Sequence, residues 1–389
     1  MLTNRAHEAQ GTAVCELFNI NFKIIIMKKI LVVGQTPPPY GGQAVMIEHL
    51  VNYEYSNVKI YHVRMVFSRG MKDMGKFQFY KIWHLICIIF KIYYFRICKG
   101  ASILYYPPSG PNSAVYRDMA ILFPTRWLFK KIIFHFHASG LSEHLKKNSG
   151  LFKWVFKVCF FNPDVAIRLS ESCPNEGEPI HAKKVLIVPN GLPDEAGTVN
   201  KLEEKKIINL LFIGLLEESK GELDLCRAIK ILKDKGVECK ARIAGEFKTA
   251  DYKERFNLFV KENALEDNVE YIGIIRGTEK ESAFRNSDLF CFPSFFHSES
   301  FPLVLIEAMS YGLPIVTTKW RGIVDMVEDG YNGYLCEIHS PEQLADRIEK
   351  LYREVELREL MGKNARAVFD ARYDMKQHLK MMENIFDNI

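Results

Sequence analysis

The sequence predicts an α/β protein made of two Rossmann-like domains in tandem. The chain has 389 residues, which is more than one ordinary domain of about 100 to 200 residues holds, so two domains of similar size are expected. Short runs of β-branched and aromatic residues alternate with longer segments of helical spacing, which is typical of a parallel, doubly wound sheet. The alternation pauses at the polar stretch 189–206, and this pause predicts the linker.

The N-terminal half alternates between predicted strands and the helices that connect them. Strands are expected at 29–34, 58–63, 102–106, 132–136, 164–169 and 184–188, and helical spacing marks 43–53, 112–128 and 151–161. Residues 27–195 are therefore predicted to form the first domain.

A second series of strands and helices follows the linker. Strands are predicted at 209–214, 241–244, 269–272, 288–292 and 314–317, and helices at 222–235, 252–263, 302–311 and 341–369. Residues 196–374 are predicted to form the second domain. Residues 375–389 are a candidate for a helix that crosses back onto the first domain. Ligands of open α/β sheets bind beyond the carboxyl ends of the strands, so two facing sheets predict a cleft between the domains.

The start of the chain and its cysteines indicate the compartment. The first 26 residues lack the features of a secretory signal, and Met27 leads directly into the first predicted strand. We expect residues 1–26 to be an extension without a role in the fold. The nine cysteines are scattered without a C-x-x-C pair, which favours a reducing cytosol over disulfides or a zinc site.

Charge is distributed unevenly along the chain. The formal net charge is +5, but basic residues predominate over 27–190 and acidic residues over 191–389. A basic first domain can lie on anionic lipid, attract an acidic acceptor, or simply present a solvated surface. No nucleic-acid partner is expected, because no recognition motif accompanies the charge.

The run from Ile82 to Cys98 resembles a membrane segment in composition. It contains His84, Lys91 and Arg96 and is shorter than the ~20 residues that a spanning helix needs. Two alternatives remain, a buried helix and an aromatic, basic helix that lies in the membrane interface. The protein is accordingly expected in the cytoplasm, either free or peripheral on the inner face of the cell membrane.

The most informative segment is 292–314. A predicted strand ends, a loop carries Glu299, and a helix opens at Pro302, where the missing N–H of a first helical position costs nothing. Free amides and the positive end of the helix dipole would suit a diphosphate at this point. Ser300, Phe301, Pro302 and Leu303, around this helix start, are therefore predicted to bind the donor.

Glu307 follows Glu299 after seven intervening residues and is itself followed by Ala-Met. This segment resembles the E-x7-E motif of family 4 retaining glycosyltransferases, which have the GT-B architecture of two facing Rossmann-like domains. The resemblance implies that Glu307 binds the ribose hydroxyls of a nucleotide-sugar and that Glu299 contacts the sugar near its reacting face. The alternative for two isolated glutamates is a cap or an ion pair on an exposed helix face.

The segment 212–221 follows the first strand of the second domain and carries Gly214 and Lys220. Glycine at a strand end lets the backbone approach a ligand, and an ammonium group near a helix start can neutralise a diphosphate. The segment is similar to the family's G-R-L…K-G loop, which implies that Lys220 contacts the donor diphosphate. The alternative is an ordinary lysine on the surface of a helix.

Leu215 departs from that family pattern, because arginine is usual at this position and binds phosphate. Three alternatives follow from this difference. Lys220 suffices together with another cation such as Arg276 or Arg321, the donor is held differently, or activity is impaired.

A glycine pair, Gly41 and Gly42, follows the first predicted strand and opens a helix. The segment is no G-x-G-x-x-G, which argues against a dinucleotide cofactor and excludes a dehydrogenase. It resembles the glycine loop at the same point of the glycosyltransferase family, which implies contact with the donor. A simple tight turn is the alternative.

Two histidines, His135 and His137, lie near the end of the fourth predicted strand. Strand alternation puts them on one face and the neighbouring phenylalanines on the other. The family often has a histidine here that bonds to the transferred sugar, and His137 is the better match. The alternative is a structural histidine, and no third ligand for a metal is evident nearby.

The joint at Asn190 and Gly191 and the segment 321–333 also agree with the family, with Asp325 where glutamate is usual. The resemblance covers nearly all of 28–389, most strongly from Asn209 onward. It implies a retaining, EC 2.4 hexosyltransferase-type enzyme that takes a sugar from a UDP- or GDP-sugar. The basic first domain and the aromatic region from Lys81 to Arg96 favour a glycan or lipid-linked glycan as the acceptor, as in bacterial surface polysaccharide synthesis.

The same resemblance implies attack on the face from which the diphosphate departs, with electrostatic stabilisation as the main contribution of the protein. No D-x-D occurs in the sequence, so we expect no metal and no cofactor. Two alternatives to transfer are a nucleotide-sugar epimerase or hydrolase on the same fold and a sugar-nucleotide binding protein that has lost catalysis.

Overall fold

The computed structural model describes residues 27–38, 40–67, 79–110, 114–197 and 206–389. The predicted extension at 1–26 lies outside the described residues. Strands of the described parts form two separate six-stranded sheets, and neighbouring strands pair in parallel in both of them. The predicted α/β class with two tandem sheets is confirmed.

The first sheet lies in the N-terminal half. Its strands are Lys28–Gly34 (β1), Val58–Arg64 (β2), Ile103–Tyr106 (β3), Lys131–His135 (β4), Val165–Arg168 (β5) and Val185–Ile187 (β6). They are ordered β2-β1-β3-β4-β5-β6 across the sheet. The helices of this half are Gly42–Asn52 (α1), Phe79–Ile97 (α2), Ala114–Thr125 (α3), Glu143–Lys147 (α4) and Gly150–Phe160 (α5).

The second sheet repeats this plan. Its strands are Ile208–Ile213 (β7), Cys239–Ala244 (β8), Val269–Gly273 (β9), Leu289–Phe292 (β10), Ile315–Thr318 (β11) and Gly333–Cys336 (β12). They are ordered β12-β11-β10-β7-β8-β9. The helices that follow the linker are Glu222–Asp234 (α6), Ala250–Glu262 (α7), Thr278–Arg285 (α8), Leu303–Ser310 (α9), Ile323–Met326 (α10), Pro341–Arg353 (α11), Val355–Val368 (α12) and Met375–Asn388 (α13).

Both sheets are covered by helices on both faces, which explains the nearly unbroken apolar runs of their central strands. All four residues of β3 and of β10 are buried. In the first domain α2, α3 and α5 pack on one face, whereas α1 and α13 pack on the other. Because the helices cover the faces of the sheet, the ends of the strands remain free to line the cleft.

Some predicted elements differ from the structure. No strand was predicted after 314–317, but β12 pairs with β11 over four residues. The predicted helix 341–369 is two helices, which are separated at Glu354. Helix α9 begins at Leu303, so Pro302 is the residue before the helix rather than its first residue.

Helix α13 lies against the first domain although it follows the second domain in sequence. Met382 and Phe386 are fully buried in one cluster with Ile30 and Val32 of β1. The Lys28 ammonium donates to the backbone oxygen of Asp387 at 2.6 Å. Helix α13, at the end of the chain, therefore completes the hydrophobic core around β1, at the start of the first domain.

The chain passes between the domains at two neighbouring points. The Leu192 N–H donates to the Tyr373 carbonyl, and the Met375 N–H donates to the Leu192 carbonyl, both at 2.9 Å. Gly191 is needed here, because a Cβ atom at this position would lie 2.9 Å from Cβ of His378 and 3.0 Å from the Asp374 oxygen. Among the described residues, none of the helices combines the length and the apolarity that crossing a bilayer requires.

Candidate active site

Lys220 and Glu299 form an ion pair at the ends of two neighbouring strands. Lys220 follows β7 and Glu299 follows β10, which pair in the second sheet. The Lys220 Nζ atom lies 2.5 Å from Glu299 Oε2, and the two side chains are only 13% and 12% exposed. The Ser294 hydroxyl also donates to Glu299 Oε2, at 3.3 Å. Two residues that the sequence singled out separately are thus held together.

Aromatic rings and a glycine hold the Lys220 side chain at this point. The ammonium lies 4.4 Å from the ring centre of Phe296, within the range of a cation–π interaction. Gly221 has φ +82°, and a Cβ atom there would lie 2.1 Å from the Pro293 oxygen. Glycine is therefore required for the loop of Lys220 to approach the loop of Glu299.

Gly214 contributes through its backbone. Its N–H donates to the Ala244 carbonyl at 3.0 Å, which extends the pairing of β7 with β8. Its carbonyl oxygen lies so close to Gly245 that a Cβ atom there would be 1.8 Å away. The two facing glycines bring these strand ends close together.

The other cations near this site have different partners. Arg276 stacks over the ring of Tyr40 at 4.8 Å, and Arg321 lies 5.7 Å from the ring of Trp320. Within the described parts of the chain, neither arginine forms a hydrogen bond or an ion pair with Glu299. Leu215 is half-buried between Gly214 and the buried Leu216.

Glu307 lines a pocket between the two domains. Val45 and His49 of α1 contribute one wall, and Lys280 of α8 and Tyr311 contribute another. The Glu307 carboxylate pairs with the Lys280 ammonium. Burial raises the pKa of Glu307, and the charge of Lys280 opposes that rise. The Glu307 side chain is 25% exposed and is among the residues that line the pocket.

The start of α9 lies where the two domains touch. Leu303 packs against a small cluster of Met46, Met375 and Leu379. A Cβ atom on Gly42 would lie 3.6 Å from the Leu303 side chain, so the glycine loop faces this helix start. The backbone N–H groups of the first turn of a helix have no partners within the helix, and binding of an anion by those of α9 stays a prediction.

The glycine loop differs from the prediction in one respect. Gly41 has extended backbone with φ −156°, and nothing lies within 4 Å of the position of its Cβ atom. Backbone conformation therefore does not require glycine there. A small residue at Gly41 leaves open space beside the backbone, which a ligand could occupy.

Ser300 and Phe301 take part in the domain contact. The hydroxyl groups of Ser300 and Ser139 lie 2.9 Å apart, although the two residues belong to different domains. The Phe301 ring packs edge-on against Tyr373 at 5.7 Å. Their side chains hold the two domains together rather than line the Glu307 pocket.

His137 lies just beyond the end of β4, and neither of its ring nitrogens has a hydrogen-bond partner. Its ring is 4.1 Å from that of His135, which confirms that the two share one side. The His135 Nδ1 atom lies 2.6 Å from the Tyr105 hydroxyl. Burial lowers the pKa of His137 to about 3, so the ring is neutral at pH 7. A neutral, unpartnered imidazole can both donate to and accept from a hydroxyl group.

Lys280 and Ser139 are the site residues that sequence reasoning missed. Lys280 lies in a mostly polar helix, and its partner Glu307 is 27 residues away along the chain. Ser139 meets Ser300 from the other domain. Neither residue belongs to a local motif, so no signal in the sequence marked them.

Within the parts of the chain that the structure covers, no three His, Cys, Asp or Glu side chains form a group that could hold a metal. Charge at the site is supplied by the paired side chains of Lys220, Glu299, Lys280 and Glu307.

Sequence comparison identifies relatives of the second half most clearly. Residues 195–368 match the family model described as glycosyl transferases group 1. The capsular polysaccharide biosynthesis glycosyltransferase CapM of Staphylococcus aureus is 32% identical over 197 residues, which is 48% of this chain and 50% of CapM. The putative colanic acid biosynthesis glycosyltransferase WcaL of Salmonella typhimurium is 29% identical over 64% of this chain and 61% of WcaL. The chain thus aligns with only about half the length of CapM.

Solved structures share the whole architecture. HepE of Anabaena in complex with UDP superimposes with a TM-score of 0.71 at 16% identity, over 93% of this chain and 100% of that one. Sucrose-phosphate synthase of Thermosynechococcus elongatus gives a TM-score of 0.70 at 15% identity, over 93% and 98%. These likenesses show the GT-B fold. Residues 195–368, which contain Lys220, Glu299 and Glu307, are therefore similar to the glycosyl transferases group 1 family.

Proposed function

We propose that the protein transfers a sugar from a nucleotide-sugar to a glycan or lipid-linked glycan, with retention of configuration at the anomeric carbon. The observation that carries this proposal is the position of Glu307, which lines a pocket between the domains and lies in the helix that follows the loop of the paired Glu299. The relatives named for capsular and colanic acid biosynthesis support a surface polysaccharide as the product.

In this proposal the donor diphosphate lies at the start of α9, near Lys220, and its ribose lies on Glu307. The Lys220 ammonium stabilises the departing diphosphate, while the Glu299 carboxylate faces the positive charge that develops on the sugar. Pairing in the free protein keeps both groups in place before the substrate arrives. His137, neutral and unpartnered, bonds to a hydroxyl group of the sugar.

The acceptor hydroxyl attacks from the side on which the diphosphate leaves. It is deprotonated as the bond to the sugar forms, and the departing phosphate oxygen accepts this proton. No metal enters the proposed reaction, because lysine and the helix start supply the positive charge. Activity that EDTA abolishes and Mg²⁺ restores would contradict this part of the proposal.

The solved neighbour in complex with UDP-glucose makes UDP-sugars the first donors to test, with GDP-sugars as the alternative. Each nucleotide-sugar is added to the full-length protein, and the melting temperature is measured. A donor that binds only the folded state raises this temperature, and the rise increases with the ratio of the donor concentration to its dissociation constant. We expect one nucleotide to give a clear shift.

The Glu307→Gln variant tests the site itself. It removes a charged hydrogen-bond acceptor, which is worth about 1.5–3 kcal/mol, so donor affinity is expected to fall about tenfold or more. Glu254→Gln, an exposed glutamate of α7, is the matched control and leaves affinity unchanged. Equal donor binding by the Glu307→Gln variant and the wild type would refute the proposed site.

Leu215 favours one second candidate, a binding protein that has lost catalysis, since the usual arginine is missing there. Turnover separates the candidates. A transferase consumes donor only when an acceptor glycan is present, an epimerase or hydrolase converts donor alone, and a binding protein does neither. The acceptor for this assay is lipid-linked glycan extracted from membranes. We place the reaction at the inner face of the cell membrane, where such an acceptor would lie.

A further inference from the structure

Helix α2 carries apolar side chains on two opposite sides. Ile88 and Ile92 are buried in the first domain, each about 1% exposed. On the other side, apolar residues recur at intervals of three and four, so they share one side of the helix along most of its length. Their exposed fractions are 69% for Trp83, 37% for Ile86, 69% for Phe90, 48% for Tyr94 and 70% for Ile97.

Helix α5 repeats this arrangement. Phe156 and Phe160 are fully buried on its inner side. Its outer side carries a second stripe, with exposed fractions of 75% for Leu151, 55% for Trp154 and 41% for Val158. Neither stripe is covered by another described part of the chain.

Helix α3 and the turn after it join the two stripes into one surface. The Tyr93 hydroxyl of α2 donates to the Pro124 carbonyl of α3 at 2.9 Å. The rings of Phe123 and Trp154 lie 6.0 Å apart, which connects α3 with α5. We name this surface the aromatic face and define it by Trp83, Phe90, Tyr94, Trp127 and Trp154. A contiguous exposed apolar surface of this kind marks an interaction site.

The charge around the aromatic face identifies the partner. Between Phe79 and Phe161 the sequence holds 12 lysines and arginines but only 2 acidic residues. One of these, Asp118, is fully buried and paired with Arg117. The exposed lysines of this region are Lys91, Lys99, Lys130, Lys131, Lys146, Lys147, Lys153 and Lys157.

Tryptophan and tyrosine beside lysine are the residues that anchor proteins at a membrane surface. A second copy of the chain would bring like charges together, which disfavours self-association through this surface. We propose that the aromatic face docks on an anionic lipid bilayer, with its rings in the headgroup region and its lysines on acidic headgroups.

This inference specifies the membrane contact that the proposed lipid-linked acceptor would need, but it does not depend on glycosyl transfer. Full-length protein is sedimented with vesicles of phosphatidylcholine alone and of an equimolar mixture with phosphatidylglycerol. We expect binding to the anionic vesicles that weakens as salt is added, and little binding to the neutral ones.

Two double variants test the two components. Trp83→Ser with Phe90→Ser removes aromatic area, and Lys153→Glu with Lys157→Glu reverses charge. Each is expected to weaken binding to anionic vesicles about tenfold or more. The matched controls lie on the second domain: Leu258→Ser with Leu360→Ser, which are also exposed apolar residues, and Lys261→Glu with Lys363→Glu.

The melting temperature shows whether each variant is folded. Its shift with the nucleotide donor reports on the proposed sugar-donor site separately from membrane binding. Lack of binding to anionic vesicles, equal binding to neutral ones, or an equal loss in the controls would overturn the inference. A dimer in analytical ultracentrifugation that the Trp83 and Phe90 substitutions dissociate would also overturn it.

Discussion

Lys280 pairs with Glu307 and opposes the rise in its pKa. Burial disfavours the ionised carboxylate and raises its pKa, the nearby Glu195 adds to this rise, and the Lys280 ammonium opposes it. A carboxylate accepts hydrogen bonds from two ribose hydroxyl groups only when it is ionised. The proposed ribose site therefore depends on a lysine from a neighbouring helix.

Replacing Lys280 by methionine is expected to make donor binding more dependent on pH. Without the ammonium, the pKa of Glu307 rises further, so the protonated form persists to higher pH. Donor affinity falls as pH drops through this pKa, and each unit by which the variant's pKa rises costs up to about tenfold in affinity below it. The dissociation constant of the nucleotide donor, measured between about pH 5 and 9, reports this change.

Lys261→Met is the control, because Lys261 is exposed on α7 and is not among the residues that line the Glu307 pocket. Identical pH profiles for the Lys280→Met variant and the wild type would show that Lys280 does not govern the carboxylate.

At the scale of elements, the loop between β7 and α6 approaches the loop after β10 only because Gly221 has no side chain. Its φ of +82° is unfavourable for other residues, and the Pro293 oxygen occupies the space of a Cβ atom. This contact places Lys220 beside Glu299, so stability and the geometry of the site depend on the same residue.

The Gly221→Ala variant is expected to lose about 2–4 kcal/mol of unfolding free energy, from backbone strain and from the clash together. Gly236→Ala is a matched control, since Gly236 also has positive φ, at +75°, but has nothing within 4 Å of its Cβ position. It should lose only about 1 kcal/mol. Urea unfolding measures both values, and equal losses would mean that the contact with Pro293 is not tight.

The sequence predicted most elements because buried parallel strands are runs of valine, isoleucine and phenylalanine. It missed β12, whose residues Gly-Tyr-Leu-Cys become a strand only by pairing with β11. The E-x7-E motif is local and was visible in the sequence, whereas the contact of Lys220 with Glu299 spans 79 residues. Contacts formed by the folded chain, such as that of Lys280 with Glu307, have no local pattern.

At the scale of the whole molecule, the last helix belongs to the first domain. Phe386 is fully buried with β1 residues at the other end of the chain. The sequence indicated this crossing only because the predicted helix at 375–389 has no partner strand. Helix propensity carries no information on which surface a helix covers.

Phe386→Ala is expected to cost about 3–5 kcal/mol of unfolding free energy. Leu360→Ala, at a residue that is 53% exposed in the same part of the chain, should change it by no more than about 0.5 kcal/mol. Hydrogen exchange locates the effect, and we expect amides of Lys28–Gly34 to lose protection in the Phe386→Ala variant. Loss confined to the second sheet would contradict the assignment of α13 to the first domain.

The two neighbouring passages of the backbone, at Leu192 and at Tyr373 to Met375, are bonded to each other. Sliding of one domain past the other would break these hydrogen bonds. We therefore expect any relative motion of the two domains to be a rotation about this joint.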